Sequence, residues 1–496
     1  MSLKAKQGFG EVKSTEGFGE EKFQRWIDTN KNRELFKSCF YSAPRISSEY
    51  PDCSMPNTFD QYNFCGNSCC YCFAYNQKSN NPAVTKSKTG MELKTTDFKR
   101  FKETLLGNRP NDPKWKGFYS LRKVLQWGSM ADPFDSVFEN KYHKGEEYIK
   151  LFNETKYPVR FCSKFYPNDR LIDLFEKNKE NKNYAFMYSI ITMNEEHAKE
   201  IEYGAPTPEK RFEALELFRK MGYYTMIRLR PFMMGTSDLT LDELLERAKK
   251  AKVNSISTEW YCVDRRANPQ IKRMQNWISK TIGFDIVEYS KKLSPSTRGG
   301  YLRLNRDVKE PYIRKIYKWC LDNDVQFACS DPDFKELNMS GSCCGLPDYE
   351  QNTSWHKDLS NYTRTQWTEF LVQARRNFWK KNSVDDVINE KYEDELITFD
   401  QVQNKEDSRW MNEKALTNDS IEVSGMCEGQ RVNSDIMLFM RQQWNSTRTP
   451  KGPNNYFNGK VSPCGSDKDD NVIYKYNPMP YEILWQRDYG FDLSKN

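Results

Sequence analysis

"CGNSCCYCFAY", residues 65–75, sets four cysteines within eight positions of a chain that has fourteen in 496 residues. Cys65, Cys69 and Cys72 stand in C-x3-C-x2-C order, in a loop that follows "TFDQYNF" and precedes a helical stretch near 94–106. Such a loop can wrap three thiolates around one metal centre. A [4Fe-4S] cluster usually takes four cysteines, so a three-cysteine loop leaves one iron free for another ligand. Two plainer readings stand beside this one: a structural zinc knuckle completed by Cys70, Cys53 or Cys39, or buried thiols that hold no metal. Zinc favours closed tetrahedral sites built from paired ligand modules. No second CxxC or histidine pair lies close by, the only histidines being His143, His197 and His356.

A chain of this length exceeds the size at which a single hydrophobic core stops growing, which predicts one large domain with appendages, or two domains. No apolar run approaches the roughly 18 residues of a membrane helix. The first residues, "MSLKAKQGFGEVKSTEGFGEEKF", lack the apolar segment of a secretory signal, and the repeated "GFGE" at 8–11 and 17–20 reads as a flexible arm over 1–42. The expected compartment is therefore the cytoplasm. Disulfide frameworks serve small secreted domains, so clustered cysteines in a long chain point instead to metal ligation. The net charge of +7, from 76 basic and 69 acidic residues, favours polyanions only weakly and fits a solvated surface equally well.

Between about 120 and 330, short apolar runs alternate with amphipathic stretches, the rhythm of strand–helix units around a parallel sheet. Strands are predicted near 122–128, 158–163, 184–191, 223–231, 254–261 and 325–330. Crossover helices are read in "SVFENKYHKGEEYIKLFNET", "PEKRFEALELFRKMG" and "LDELLERAKKAK"; the second starts after Thr207-Pro208 and stops at Gly222. A full or partial (β/α) barrel is the simplest closure, with chemistry at the C-terminal ends of the strands. No GxGxxG follows a strand to support an open doubly wound sheet. Beyond about 350 the rhythm changes to polar and aromatic text, which reads as a separate, partly irregular extension over 347–496.

The loop residues Cys65, Cys69, Tyr71 and Cys72 match the C-x3-C-x-aromatic-C pattern of the radical S-adenosylmethionine (radical SAM) superfamily, which this sequence resembles. "PDCSMPNTFDQYNFCGNSCCYCFAY", "LQWGSMADPFDSVFENKY", "RFCSKF", "YSIITMNEEHAKEIEYGAPTPEKRFEALELFRKMGY" and "MIRLRPFMMG" resemble, in order, its spore photoproduct lyase-like branch. The resemblance covers about residues 43–346 and none of the extension. It implies an α/β fold with a partial (β/α)6 TIM-like barrel over 43–346, and an enzyme. Its [4Fe-4S] cluster, held by Cys65, Cys69 and Cys72, would chelate S-adenosylmethionine and split it to a 5′-deoxyadenosyl radical that takes a hydrogen atom from the substrate. The electron would come from a reductant such as flavodoxin or ferredoxin.

The same resemblance assigns cofactor contacts to Tyr71, Ser129, Asp132, Lys164, Ser189 and Arg211. Three of them also have a plainer reading: Asp132 precedes Pro133 as turn chemistry does, Lys164 resembles a solvated strand-end charge, and Arg211 can pair with Glu202 on a helix surface. Arg228 and Arg230 alternate with apolar residues in one strand, so they share a face and either bind an anionic substrate or pair with Glu259. The branch uses a cysteine near the reacting thymine to return a hydrogen atom; "GSMADP" offers none, and Tyr261 or Cys262, after the sixth strand, are the candidates in its place.

Cys320, Cys329, Cys343 and Cys344 suggest an auxiliary iron–sulfur cluster completed by Cys427 or Cys464, or else buried or peripheral thiols. No tight C-x2-C spacing decides between them. The branch implies a nucleic-acid substrate and a lyase, mutase or other modifying activity, DNA repair among them. Arg375, Arg376, Lys380 and Lys381 beside Phe378 and Trp379 are compatible with phosphate contact and stacking, although Trp367, Leu371 and Phe378 also suit packing on the barrel. A zinc-stabilised nucleic-acid-binding protein and a peptide maturase are the alternatives from other classes.

Overall fold

The structure is a computed structural model. It describes residues 57–74, 93–112, 124–265, 267–294 and 300–331, a stretch over 461–476 apart from residue 469, and scattered single residues and pairs elsewhere. Cys39, Cys53, Cys343, Cys344, Cys427, His356 and the basic-aromatic cluster at 375–381 lie outside the described residues.

The main sheet runs in chain order. After a short antiparallel edge strand β1 (Arg45–Ile46) come β2 (Asn57–Phe59), β3 (Leu125–Trp127), β4 (Val159–Ser163), β5 (Tyr184–Ser189), β6 (Tyr224–Phe232), β7 (Ser255–Trp260) and β10 (Gln326–Cys329). From β2 onward every neighbouring pair is parallel. The six expected strands are present, and β2 adds a seventh ahead of them. The described strands form an open array, an α/β sheet in chain order as the partial-barrel reading requires.

The crossovers are α1 (Phe98–Leu105), α2 (Ser136–Tyr142) with α3 (Lys144–Thr155), α4 (Asp169–Asn178), α5 (Glu195–Ile201) with α6 (Pro208–Lys220), and α7 (Leu241–Ala251). Between β7 and β10 the chain adds a small hairpin, β8 (Val263–Asp264) with β9 (Tyr301–Leu302), and helices α8 (Pro269–Ile282), α9 (Ile286–Leu293) and α10 (Arg306–Asp322). The predicted caps are seen. Thr207 accepts from the Lys210 amide, Pro208 occupies the first turn, and α6 ends before Gly222 at φ +80°.

β4 and β5 are buried at every position, as central parallel strands between two covered faces are. Alternate residues Phe161, Phe186, Ile227, Ile256 and Phe327 join the core beneath the helices, where Phe186 and Phe218 stack with centroids 3.5 Å apart. The residues between them point to the opposite face. There Cys162, Met187 and Met226 form a small separate cluster, with Arg160, Arg228, Ser255, Ser257 and Ala328 in register around it. The segment after β10 reaches that face too: a Cβ on Gly345 would stand 2.7 Å from Met226 Cε and 2.9 Å from Ser255 Oγ.

Near the C-terminal end of the chain, β11 (Leu396–Ile397), β13 (Val472–Tyr476) and β12 (Val461–Ser466) make a three-stranded antiparallel sheet within the expected extension. Within the stretch read as an arm, Leu35 is docked: its amide donates to the Tyr142 hydroxyl, and it bridges to Leu93.

Candidate active site at the strand ends

β2 ends at Phe59, and the next fifteen residues carry the cysteines across the C-terminal ends of β3 to β5. Asp60, the first of them, is fully buried and gathers the amides of Ser129, Met130 and Ala131 at 3.0–3.1 Å, with the Ser129 hydroxyl at 3.2 Å. Three amides on one carboxylate hold the turn after β3 in a fixed curl. That turn starts at Gly128, whose φ is +96° and whose Cβ would lie 2.2 Å from the Cys162 carbonyl oxygen, so only glycine fits. Gln61 completes the join: its amide nitrogen donates to the Pro133 carbonyl and to Glu139, while its oxygen accepts from Trp127 at 2.6 Å.

Asp132 sits at the centre of this layer. Its carboxylate accepts from Ser163 Oγ at 2.6 Å, the Lys164 amide at 2.8 Å, the Phe134 amide at 3.0 Å and Asn67 Nδ2 at 3.1 Å. These four donors occupy the acceptor capacity of a carboxylate, so Asp132 ties the cysteine loop to β4. Asn67 also reaches Cys65 Sγ at 3.3 Å, and the Gly66 amide donates to Asp135 at 2.5 Å.

The far side of the loop rests on the end of α5. The Cys70 amide donates to the Ile201 carbonyl at 2.9 Å, and the Gly204 amide to the Asn67 carbonyl at 2.8 Å. A Cβ at Gly204 would lie 2.3 Å from the Gly66 carbonyl oxygen, so the two backbones touch there. Cys69 and Cys70 are buried, and Cys65 and Cys72 are partly so. Burial pushes the Cys65 and Cys70 thiols well up; it raises Cys69 to about 12 against the opposing pull of Lys164.

Beside Cys69 lies a charged knot. Glu202 accepts from the Tyr71 hydroxyl and from Arg211, and Lys164 Nζ stands 3.8 Å from it. Arg211 also donates to the Ser189 and Pro206 carbonyls, which leaves its Nη2 buried with no acceptor among the described residues. The helix-surface reading of Glu202 and Arg211 is corrected: both side chains are sealed inside, because α6 packs its first turn onto the end of β5. Lys164 is likewise no solvated surface charge, since its ammonium lies against Glu202 and the Tyr71 ring. Desolvation pulls its pKa down, but Cys69 and Glu202 outweigh it and lift it to about 12.

The expected residues thus converge on one end of the sheet. Tyr71, Lys164, Ser189 and Arg211 share the knot at Glu202, while Ser129 and Asp132 lie in the adjoining turn. Tyr261 and Cys262 follow β7 on the same side, where Tyr261 feels the Cys70 thiol and Cys262 Sγ lies 3.6 Å from the Trp260 carbonyl. Burial pushes both up, Cys262 to about 12. Asp60, Gln61 and Asn67 were not singled out from sequence. Their signal was slight: polar residues flanking a cysteine loop.

The donor set of Cys65, Cys69 and Cys72, with buried Asn67 Oδ1, Ser68 Oγ and Arg211 Nη2 left without protein partners around it, fits an iron–sulfur cluster and a polar co-ligand. Among the described residues no three Cys, His, Asp or Glu side chains converge as the ligands of a single metal ion do. The cysteines of a cluster each bind a different iron. Of the second cysteine group, Cys320 and Cys329 lie in the apolar core between α10 and β10, and Cys464 on β12 is exposed.

No family profile matches the chain, and no curated protein does. Among solved structures the chain is similar to a cysteine-to-alanine mutant of spore photoproduct lyase with dinucleoside spore photoproduct, at 15% identity and TM-score 0.45, over 63% of this chain and 85% of that one. It is similar to spore photoproduct lyase complexed with dinucleoside spore photoproduct, at 14% identity and TM-score 0.45, over 64% and 88%. A third similar structure is Streptococcus suis SuiB bound to S-adenosylmethionine, at 12% identity and TM-score 0.36, over 57% and 52%.

Proposed function

We propose that this protein is a radical SAM enzyme whose [4Fe-4S] cluster is held by Cys65, Cys69 and Cys72. One observation carries the reading: the three-cysteine loop follows the first parallel strand directly and lies across the strand ends on a seat of buried polar groups. When bound, the cluster supplies the electron that splits the cofactor sulfonium and so produces a 5′-deoxyadenosyl radical for hydrogen abstraction.

The chain's own residues hold and orient. Arg211, with one buried N–H group unspent, and Lys164 offer positive charge to the cofactor carboxylate, for which a guanidinium is well shaped. Ser129, Ser189 and Tyr71 line the same edge. Asp132 acts through the loop that it fastens. Cys262 or Tyr261 donates one hydrogen atom to a substrate radical and is left as a thiyl or phenoxyl radical, which an electron from the reductant and a proton restore; burial keeps both protonated near neutral pH, as a hydrogen-atom donor must be.

The substrate class we favour is a nucleobase in DNA or RNA, on the resemblance of residues 43–346 to the spore photoproduct lyase-like branch. The absence of cysteine from Gly128–Pro133 sets thymine-dimer repair itself apart from this proposal. The deciding experiment is anaerobic purification with iron and sulfide analysis, then dithionite and S-adenosylmethionine with detection of 5′-deoxyadenosine. Iron, sulfide and the deoxynucleoside are expected, all three lost in the Cys65, Cys69 and Cys72 triple alanine variant. Zinc in place of iron, or no deoxynucleoside from iron-loaded protein, overturns the reading.

A further inference from the structure

Arg228 and Arg230 part company in the structure. At the end of β6 the pairing with β7 slips between Leu229 and Phe232, so that Arg230 and Pro231 stand opposite Glu259 alone, and Arg230 forms an ion pair with Glu259. Arg228, two residues earlier on the same face, has no carboxylate partner among the described residues. One of its terminal N–H groups lies 3.1 Å from Cys162 Sγ, and its Nε is buried with no acceptor. A thiol is a weak acceptor for one of five guanidinium donors. A half-buried guanidinium so placed lacks the compensation that such groups ordinarily find.

The surroundings sharpen the imbalance. Arg160 stands on the same face of β4 as Cys162, and Lys164 follows directly after that strand. Of the described carboxylates, Glu259 is committed to Arg230, and Glu202 to Arg211, Tyr71 and Lys164. Burial pushes the Cys162 thiol up, yet Arg228, reinforced by Arg160 and Lys164, outweighs it and leaves the thiol below its ordinary value. The field on this face favours negative charge.

We propose that Arg228 anchors an oxyanion carried by the substrate, a phosphate or carboxylate group, on the sheet face turned away from the helices. That the anion belongs to a substrate rests on the enzymatic reading above, whereas the binding itself does not. Ser189 lies beside Arg228 in register across β5 and β6, so an anion held there sits next to the proposed cofactor edge. A fixed anionic handle would set the distance from the reacting carbon to that edge.

The test is an equilibrium titration without reductant, so its outcome does not depend on whether deoxyadenosine is ever formed. The full, anaerobically prepared chain, labelled with [15N]arginine, is titrated with inorganic phosphate and separately with acetate, at ionic strength held constant with chloride. One Nε–Hε resonance, identified by its absence from R228K, or from R228Q should R228K fail to fold, is expected to shift saturably at millimolar anion. A response to phosphate alone identifies a phosphoryl handle, and a response to acetate a carboxylate. The proposal is overturned if that resonance stays still or drifts linearly with the exposed arginines. It is equally overturned if S-adenosylmethionine shifts the resonance and abolishes the anion response, because Arg228 then serves the cofactor.

Discussion

Arg211 and Glu202, nine positions apart, form an ion pair in which the guanidinium is 1% exposed and the carboxylate not at all. Replacing Glu202 leaves the buried Arg211 and Lys164 without their carboxylate, which costs about 3–5 kcal/mol, whereas replacing Arg211 leaves Glu202 its contacts with Tyr71 and Lys164 and is milder. Glu202→Leu is therefore expected to lower unfolding stability by about that amount and Arg211→Leu by less, as read from denaturant midpoints of the metal-free protein.

Asp132→Asn keeps the shape of the side chain but turns an acceptor into a donor that faces Asn67 and the amides of Phe134 and Lys164. A loss of about 1–3 kcal/mol is expected for the stranded donors. The cysteine loop loses its tie to β4 at the same time. Iron and sulfide per chain after anaerobic reconstitution should fall below wild type, while far-ultraviolet circular dichroism stays unchanged.

Gly204→Ala tests the backbone contact beneath the loop. The new methyl group meets the Gly66 carbonyl oxygen at 2.3 Å, and neither chain has a flexible side chain to yield. Overpacking of this kind costs about 1–3 kcal/mol. The expected signature is a cluster lost faster to a chelator than in wild type. An unchanged loss rate would show that the loop does not depend on this seat.

Glu139 supplies a pH dependence. Burial raises its carboxyl to about 7, against the stabilising bonds from Gln61 and the Gly145 amide. The folded state therefore binds a proton more readily than the unfolded chain. Stability should be highest below the unfolded value near 4.5 and decline as pH rises to about 7, by on the order of 1–3 kcal/mol from this group. Urea unfolding between pH 5 and 8 should show that decline, and Glu139→Gln should flatten it.

The strands β3 to β7 and β10 were legible because each parallel strand is a short apolar run between helices, Thr207-Pro208 and Gly222 being the plainest signals, whereas the two-residue strands β8 and β9 were not. β2 escaped notice: three residues, Asn57–Phe59, carry no periodicity of their own, and the strand exists because β3 pairs with it. At the site, spacing singled out the cysteines because they share one loop. It could not reveal that Glu202 and Arg211 are internal, since burial depends on how α6 packs against β5. Nor could it link Arg228 with Cys162, residues 66 positions apart that meet through strand register. Alternation told that Arg228 and Arg230 share a face; the slip at Arg230-Pro231, which hands Glu259 to only one of them, left no trace in the pattern.

The lodging of Cys70 against Ile201 also imposes a timetable on the newborn chain. The thiols leave the ribosome long before the helix end that shelters them, and at about 5–20 residues per second the gap lasts on the order of ten seconds. During that interval the cysteines are open to air and to stray ions alike. On the proposed iron–sulfur reading, delivery to a pocket with its walls in place would wait until roughly the first two-fifths of the protein have been made.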